Sequence, residues 1–202
     1  NMEDASLAKI ALAKSLRAIM RKKAFSKITV GEICSKAHMT RRNFYNHFLD
    51  KYDLLNWTYD YFFCQQVKGH EDWHAQDYLP LICQDLYRDM KFYRNAFSSR
   101  QEDQNSFREF CIGKLKPLFM RDMADIFQDD GEADFYVSRI CNAFFDYYIM
   151  WFDDEDPMDS VEYINHIRES IIRVSKRITE MFEREPSEPE RWKSGTHPGK
   201  KS

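Results

Sequence analysis

Residues 28–51 read Ile28-Thr29-Val30-Gly31-Glu32-Ile33-Cys34-Ser35-Lys36-Ala37-His38-Met39-Thr40-Arg41-Arg42-Asn43-Phe44-Tyr45-Asn46-His47-Phe48-Leu49-Asp50-Lys51. Thr29 followed three residues later by Glu32 is a capping box: Thr29 accepts from the Glu32 amide while the Glu32 carboxylate reaches back to the Thr29 amide. It predicts a short helix with Ile33 and Ala37 turned inward. Ala37-His38-Met39 leaves room only for a tight turn. Thr40 is then a second N-cap, opening a helix from Arg41 through Phe48 in which Phe44 and Phe48, one turn apart, face a core. Asp50 caps a further helix from Lys51 that carries Leu54, Leu55, Tyr59, Phe62 and Phe63. Upstream, Leu7, Ile10, Ala11, Leu12, Leu16, Ile19 and Met20 recur at three- and four-residue spacing and predict a first helix to about Lys23. Two short helices, a three-residue turn and a polar second helix make a helix-turn-helix.

The faces of that second helix not held by phenylalanine present Arg41, Arg42, Asn43, Asn46 and His47. Arginine is shaped to pair with guanine O6 and N7, and asparagine with adenine N6 and N7, in the major groove. Charge points the same way. Residues 1–51 contain eleven Lys/Arg against four Asp/Glu, whereas the other 151 residues contain nineteen against twenty-nine. A basic head that meets a polyanion and an acidic body fit that split; a helical hairpin with ordinary solvated faces is the other reading of the charges alone.

Over Ile28–Cys34 and Thr40–Lys51 the chain resembles the TetR family of bacterial transcriptional regulators, and most of all its dihydroxyacetone kinase regulator branch. Phe92–Phe97 and Gln104–Glu109 carry the likeness further. The resemblance implies a small amino-terminal DNA-binding domain and a larger helical domain that dimerises and often binds an effector. It assigns Arg41, Arg42, Asn43 and Asn46 to base reading, and Thr29, Thr40, Tyr45, His47 and Lys51 to phosphate contacts, which fix register without reading sequence. His38 departs from the glycine that many members carry in the turn; histidine is among the residues that tolerate a positive φ. Some members of the branch act with a partner protein, so a co-regulator without autonomous DNA binding is the alternative.

The composition predicts an all-α fold. Six Gly and six Pro are few for 202 residues, and a turn-rich β-sandwich would need more. Helices are expected from about Tyr78 to Phe97, Ser106 to Phe127 (kinked at Pro117), Phe135 to Phe152 and Ser160 to Glu185. In the last, Ile164, Ile167, Ile171, Val174, Ile178 and Met181 step by three and four, the seam of a heptad. It suits either a homodimer, which a palindromic operator asks for, or burial within one subunit. Phe92, Tyr93, Phe110, Phe144, Tyr148 and Trp151 line a candidate effector pocket or simply fill the core. The expected division is a head over 2–51, a body over 52–185 and a polar tail over 186–202.

The function classes excluded are as informative. Five cysteines without a C-x-x-C pair read as reduced, packed thiols. No apolar run approaches the ~20 residues of a membrane span, and no secretory leader is recognisable, so a cytoplasmic chain is expected, with no cofactor and no membrane partner. His70-Glu71-Asp72-Trp73-His74 spells the H-E-x-x-H of a zinc hydrolase, but that chemistry needs both histidines on one rigid helix and a third ligand. The run follows Gly69 at a helix junction, so neither a metal site nor catalysis is expected.

Overall fold

The computed structural model describes residues 2–67, 69–70, 72–98 and 107–183, and among these the regular structure is all helical. In chain order the elements are α1 (Met2–Met20), a 3-10 turn (Phe25–Lys27), α2 (Val30–Lys36), α3 (Arg41–Tyr45) and α4 (Lys51–Val67). They continue with α5 (Ala75–Arg88), α6 (Met90–Ser98), α7 (Phe107–Met123), a 3-10 turn (Ala124–Ile126), α8 (Asp130–Asp153) and α9 (Ser160–Glu183). The tail expected over 186–202, Glu71 and Gln104–Ser106 lie outside the described residues. No helix among those described is long and apolar enough to cross a membrane.

Residues 1–161 form one compact unit and 162–202 a second. In the first, α1 packs on α2, α4 and α6, while α4 packs also on α5 and α7. Through α4, which begins at Lys51, the first helices of the chain are packed against those that follow. Around α7 and α8, Phe107, Cys111, Leu115, Phe119, Val137, Cys141, Phe145, Tyr148 and Trp151 are each 4% exposed or less. The four described thiols, Cys34, Cys83, Cys111 and Cys141, are buried and free. Burial pushes the Cys83 and Cys141 thiols up to about 11, so they remain protonated fillers of the core.

Three of the helix boundaries that differ from expectation have a clear local reason. The helix expected over Tyr78–Phe97 begins earlier, at Ala75. The His74 amide donates to the Asp77 carboxylate (3.0 Å) and the Ala75 amide to Asp122 of α7 (2.7 Å). Pro80 consequently lies in the second turn, where it deprives only the carbonyl of exposed Gln76 of a partner. The same helix breaks at Asp89, whose φ/ψ of −131/39° are not helical. Finally, α8 starts at Asp130 rather than Phe135, because the Asp129 side chain accepts from the Glu132 amide (2.8 Å), an N-cap that precedes the aromatic run.

At the Asp89 break the carboxylate, 2% exposed, accepts from Arg17 Nε (2.9 Å), Arg21 Nε (2.7 Å) and Arg21 Nη2 (2.9 Å). Asn95 of α6 donates to the Met20 carbonyl, satisfying a group at the end of α1 that helix geometry leaves open. These bonds fasten α1 to the α5–α6 corner.

In the second unit, α9 is amphipathic along its own length. Ile164 is half-buried and Ile167 buried, whereas Ile171, Val174, Ile178 and Met181 are 46–63% exposed, and Ile172 (59%) and Phe182 (87%) are exposed too.

Candidate nucleic-acid interface

The head is assembled around side chains that α1 alone cannot bury. Leu12, Leu16, Met20, Phe25, Ile28, Ile33, Phe44 and Phe48 are each 3% exposed or less. Phe44 and Phe48 lie 5.8 Å apart, and Phe48 meets Trp57 of α4 at the same distance. With those two rings inside, a helix of α3's pitch must turn its other residues outward.

The local caps form as the sequence demands. The Glu32 amide donates to the Thr29 hydroxyl (3.2 Å) and the Thr29 amide to the Glu32 carboxylate (2.8 Å). The Asn43 amide donates to Thr40 Oγ1 (3.2 Å), and the amides of Tyr52 and Asp53 both donate to Asp50 Oδ1 (2.8 Å). Between α2 and α3, His38 adopts φ 55°, the left-handed conformation the tight turn needs and one that histidine tolerates. The regular part of α3 ends at Tyr45, earlier than the expected Phe48. The turn nevertheless persists, since the amides of His47 and Phe48 both donate to the Phe44 carbonyl (2.9 and 3.0 Å).

Arg41, Arg42 and Asn46 are exposed and Asn43 is half-buried; their side chains make no hydrogen bond to other described residues. Arg41 lies back over α2, where a Cβ at Gly31 would come within 2.7 Å of its Nη2. Gly31 thus admits the guanidinium close to the backbone. The sequence hinted at this only through a glycine inside a helix.

The five residues expected at phosphates divide into three situations. Thr40, Tyr45 (57% exposed) and His47 keep side-chain donors without a partner among the described residues. The Thr29 hydroxyl instead donates to the Glu32 carboxylate (3.0 Å). That carboxylate also takes Lys23 Nζ at 2.5 Å, and this bond, with those from Thr29, holds the Glu32 acid down to about 2. Lys51 is held by the chain itself. Its ammonium donates to the carbonyls of Phe25 (3.0 Å), Ser26 (3.2 Å) and Ile28 (2.9 Å), using all three protons, and lies 4.8 Å from the Phe25 ring centroid. Burial pushes this ammonium below the usual lysine range. Asp50 already takes the Tyr52 and Asp53 amides at the start of α4, so two of the donors a helix start leaves open are used. Lys51 closes the corner after α1 instead of reaching outward.

The six aromatics of the candidate effector pocket differ in burial and in neighbours. Phe92, Tyr93, Tyr148 and Trp151 are 1–2% exposed, whereas Phe110 and Phe144 are half-buried. Phe92 packs edge-on against Tyr93, Phe144 tilts on Tyr148, and Trp151 donates from Nε1 to the Met158 carbonyl (2.9 Å). Phe110 meets Tyr59 edge-on, and Tyr59 in turn lies near Tyr93 and Tyr148. These rings fill the core. Of the arginines nearby, Arg108 pairs with Asp146 (2.7 Å).

In the H-E-x-x-H run the described residues, His70, Asp72, Trp73 and His74, are not helical. His70 stacks on Trp73 (3.8 Å), while His74 precedes α5 with its Nδ1 2.9 Å from Asp122 Oδ1. Burial pushes the Asp122 acid up, but bonds from His74, the Ala75 amide and Tyr78 together hold it below its usual range. No group of His, Cys, Asp and Glu among the described residues is arranged to hold a metal ion.

Residues 73–173 match the C-terminal region of a transcriptional regulator family of the TetR type. The chain is 26% identical over 145 residues to the HTH-type dhaKLM operon transcriptional activator DhaS of Lactococcus lactis subsp. lactis (strain IL1403), covering 71% of this chain and 74% of that protein. Among solved structures, a dihydroxyacetone kinase operon activator DhaS shares the fold with a TM-score of 0.60 at 21% identity, over 81% of this chain and 96% of the other. A TetR transcriptional regulator from Streptococcus agalactiae 2603V gives a TM-score of 0.59 at 18% identity, over 81% and 93%.

Proposed function

Because the chain belongs to the TetR family of transcriptional regulators, we propose that it acts as a homodimer whose two heads read a palindromic operator. It is a regulator and not an enzyme. The observation that carries the proposal is the outward face of α3 and the turn after it. Arg41, Arg42, Asn43 and Asn46 stand there with no side-chain hydrogen bond to other described residues, fixed from behind by buried Phe44 and Phe48. Arg42, Asn43 and Asn46 read bases, Arg41 reads from its place over Gly31, and Thr40, Tyr45 and His47 hold the backbone. Thr29 joins them only by exchanging its bond to Glu32, and Lys51 supports the corner.

Pairing rests on the apolar stripes that one chain leaves open. On α9 these are Ile171, Val174, Ile178 and Met181, and on α8 they are Tyr136 and Met150, all at least 44% exposed. Exposed apolar residues repeating at three and four along a helix suit a partner helix. An effector or partner protein acting on the body would reach the heads through the bonds of Arg17 and Arg21 to Asp89, shifting operator affinity by favouring one head spacing.

The test is selection of bound duplexes from a random DNA pool, followed by affinity measurements over a salt series. Enrichment of an inverted repeat, with affinity falling steeply as salt rises, is the expected result. Failure to retain any duplex at low salt would overturn the DNA-reading role and leave a regulator that works through protein contacts.

A further inference from the structure

Between α1, α4 and α5 lies a cleft of about 410 Å³ lined by Lys14, Arg17, Arg21, Phe62, Gln66, Asp85 and Arg88. This is within the range of small-molecule sites. Lys14 and Arg17 lie three residues apart on α1, Arg21 follows in the turn just after that helix, and Arg88 faces them from the last turn of α5. Arg17 and Arg21 share the buried Asp89 carboxylate, and Asp85, 3.9 Å from Arg17, accepts the Tyr93 hydroxyl at 2.5 Å. Lys14 and Arg88 are exposed and have no partner among the described residues. Four cations around two carboxylates leave two positive charges without compensation at one spot. The lining also has an apolar wall. Arg17 lies 4.2 Å from the centroid of the Phe62 ring, forming a flat surface beside the cations.

We infer that this cleft binds a small phosphate monoester. Its dianionic phosphoryl group would sit among Lys14, Arg88 and the exposed edge of Arg21, with its organic part against Phe62. A dianion matches the two uncompensated charges, and guanidinium groups suit phosphoryl oxygens geometrically. The site depends on no assumption about DNA, because none of its residues lies on α2 or α3.

The experiment uses the full chain without DNA at constant ionic strength, with phenyl phosphate as probe and inorganic phosphate and benzenesulfonate as comparisons. Phenyl phosphate at about ten times its dissociation constant should raise Tm by about 3–6 °C. Lys14→Ala/Arg88→Ala should abolish the rise, and the exposed-head control Lys36→Ala should retain it. The singly charged sulfonate should bind at least about tenfold more weakly. Phosphorus NMR line broadening on the two single variants supplies a second readout, should the double variant fold poorly. An unchanged response in the cleft variants overturns the site. Equal binding of benzenesulfonate overturns the dianion, and equal binding of inorganic phosphate overturns the ester.

Discussion

Asp89→Asn keeps the shape of a side chain 2% exposed but removes the charge that two arginines share. Four nitrogen–oxygen contacts of 2.7–2.9 Å are affected, two from Arg17 and two from Arg21. Breaking a buried ion pair by removing one partner costs about 3–5 kcal/mol. Two features place the expected loss at the lower end. Arg21 is 51% exposed, so water replaces part of its interaction, and Arg17 retains Asp85 at 3.9 Å. The expected destabilisation is about 3 kcal/mol, or about 6–12 °C in Tm for a chain of this size. Urea denaturation at neutral pH, checked by calorimetry, measures it. Combining Asp89→Asn with Arg17→Met should recover part of the loss, because no buried guanidinium is then left without its counter-charge. A loss below about 1 kcal/mol is what a solvated surface pair gives. That result, or strict additivity in the double variant, would refute the claim that this carboxylate fastens α1 to the α5–α6 corner.

The remaining predictions concern the head and the proposed interface. Gly31→Ala places a methyl group 2.7 Å from Arg41 Nη2, so the guanidinium should move. The base preference at one operator position should change in a selection experiment while Tm stays level or rises, since alanine favours a helix by up to ~1 kcal/mol. Arg42→Ala should cost about 1–3 kcal/mol at the selected operator and relax one position, as read by competition binding. Lys51→Met should instead lower stability by about 2 kcal/mol through its three lost charge-assisted bonds, and weaken operator binding only as far as unfolding explains. The Glu32 acid is held down to about 2 in the fold, so its capping-box contribution is complete above the ordinary carboxylate range. It fades as pH falls from about 4.5 towards 2. Glu32→Gln should flatten that part of the Tm–pH curve, and an unchanged curve would contradict the Lys23–Glu32–Thr29 arrangement. Ile171→Asp/Ile178→Asp should halve the mass seen in light scattering and remove cooperative binding to the inverted repeat.

Residues 28–51 carry the head in their local chemistry. Thr29 with Glu32, Thr40 before Arg41, and Asp50 before Lys51 each satisfy helix-end amides within three residues along the chain, so their geometry is legible without knowing any distant neighbour. The Phe44–Phe48 spacing then determines which side of α3 faces outward, and hence which donors stand free. Low glycine and proline content likewise announced an all-helical chain. Tertiary structure alone decided the use of Lys51, whose acceptors lie 23–26 residues upstream, and the break at Asp89, whose arginines lie 68 and 72 residues away. It also decided that the aromatics of the body pack against one another and that four cations from α1, the turn after it and α5 border one cleft. The physical reason is range. Caps and helical periodicity are set by neighbours within one turn, whereas a lysine or aspartate has the same local preferences whether it ends in water or against a partner that only folding brings near.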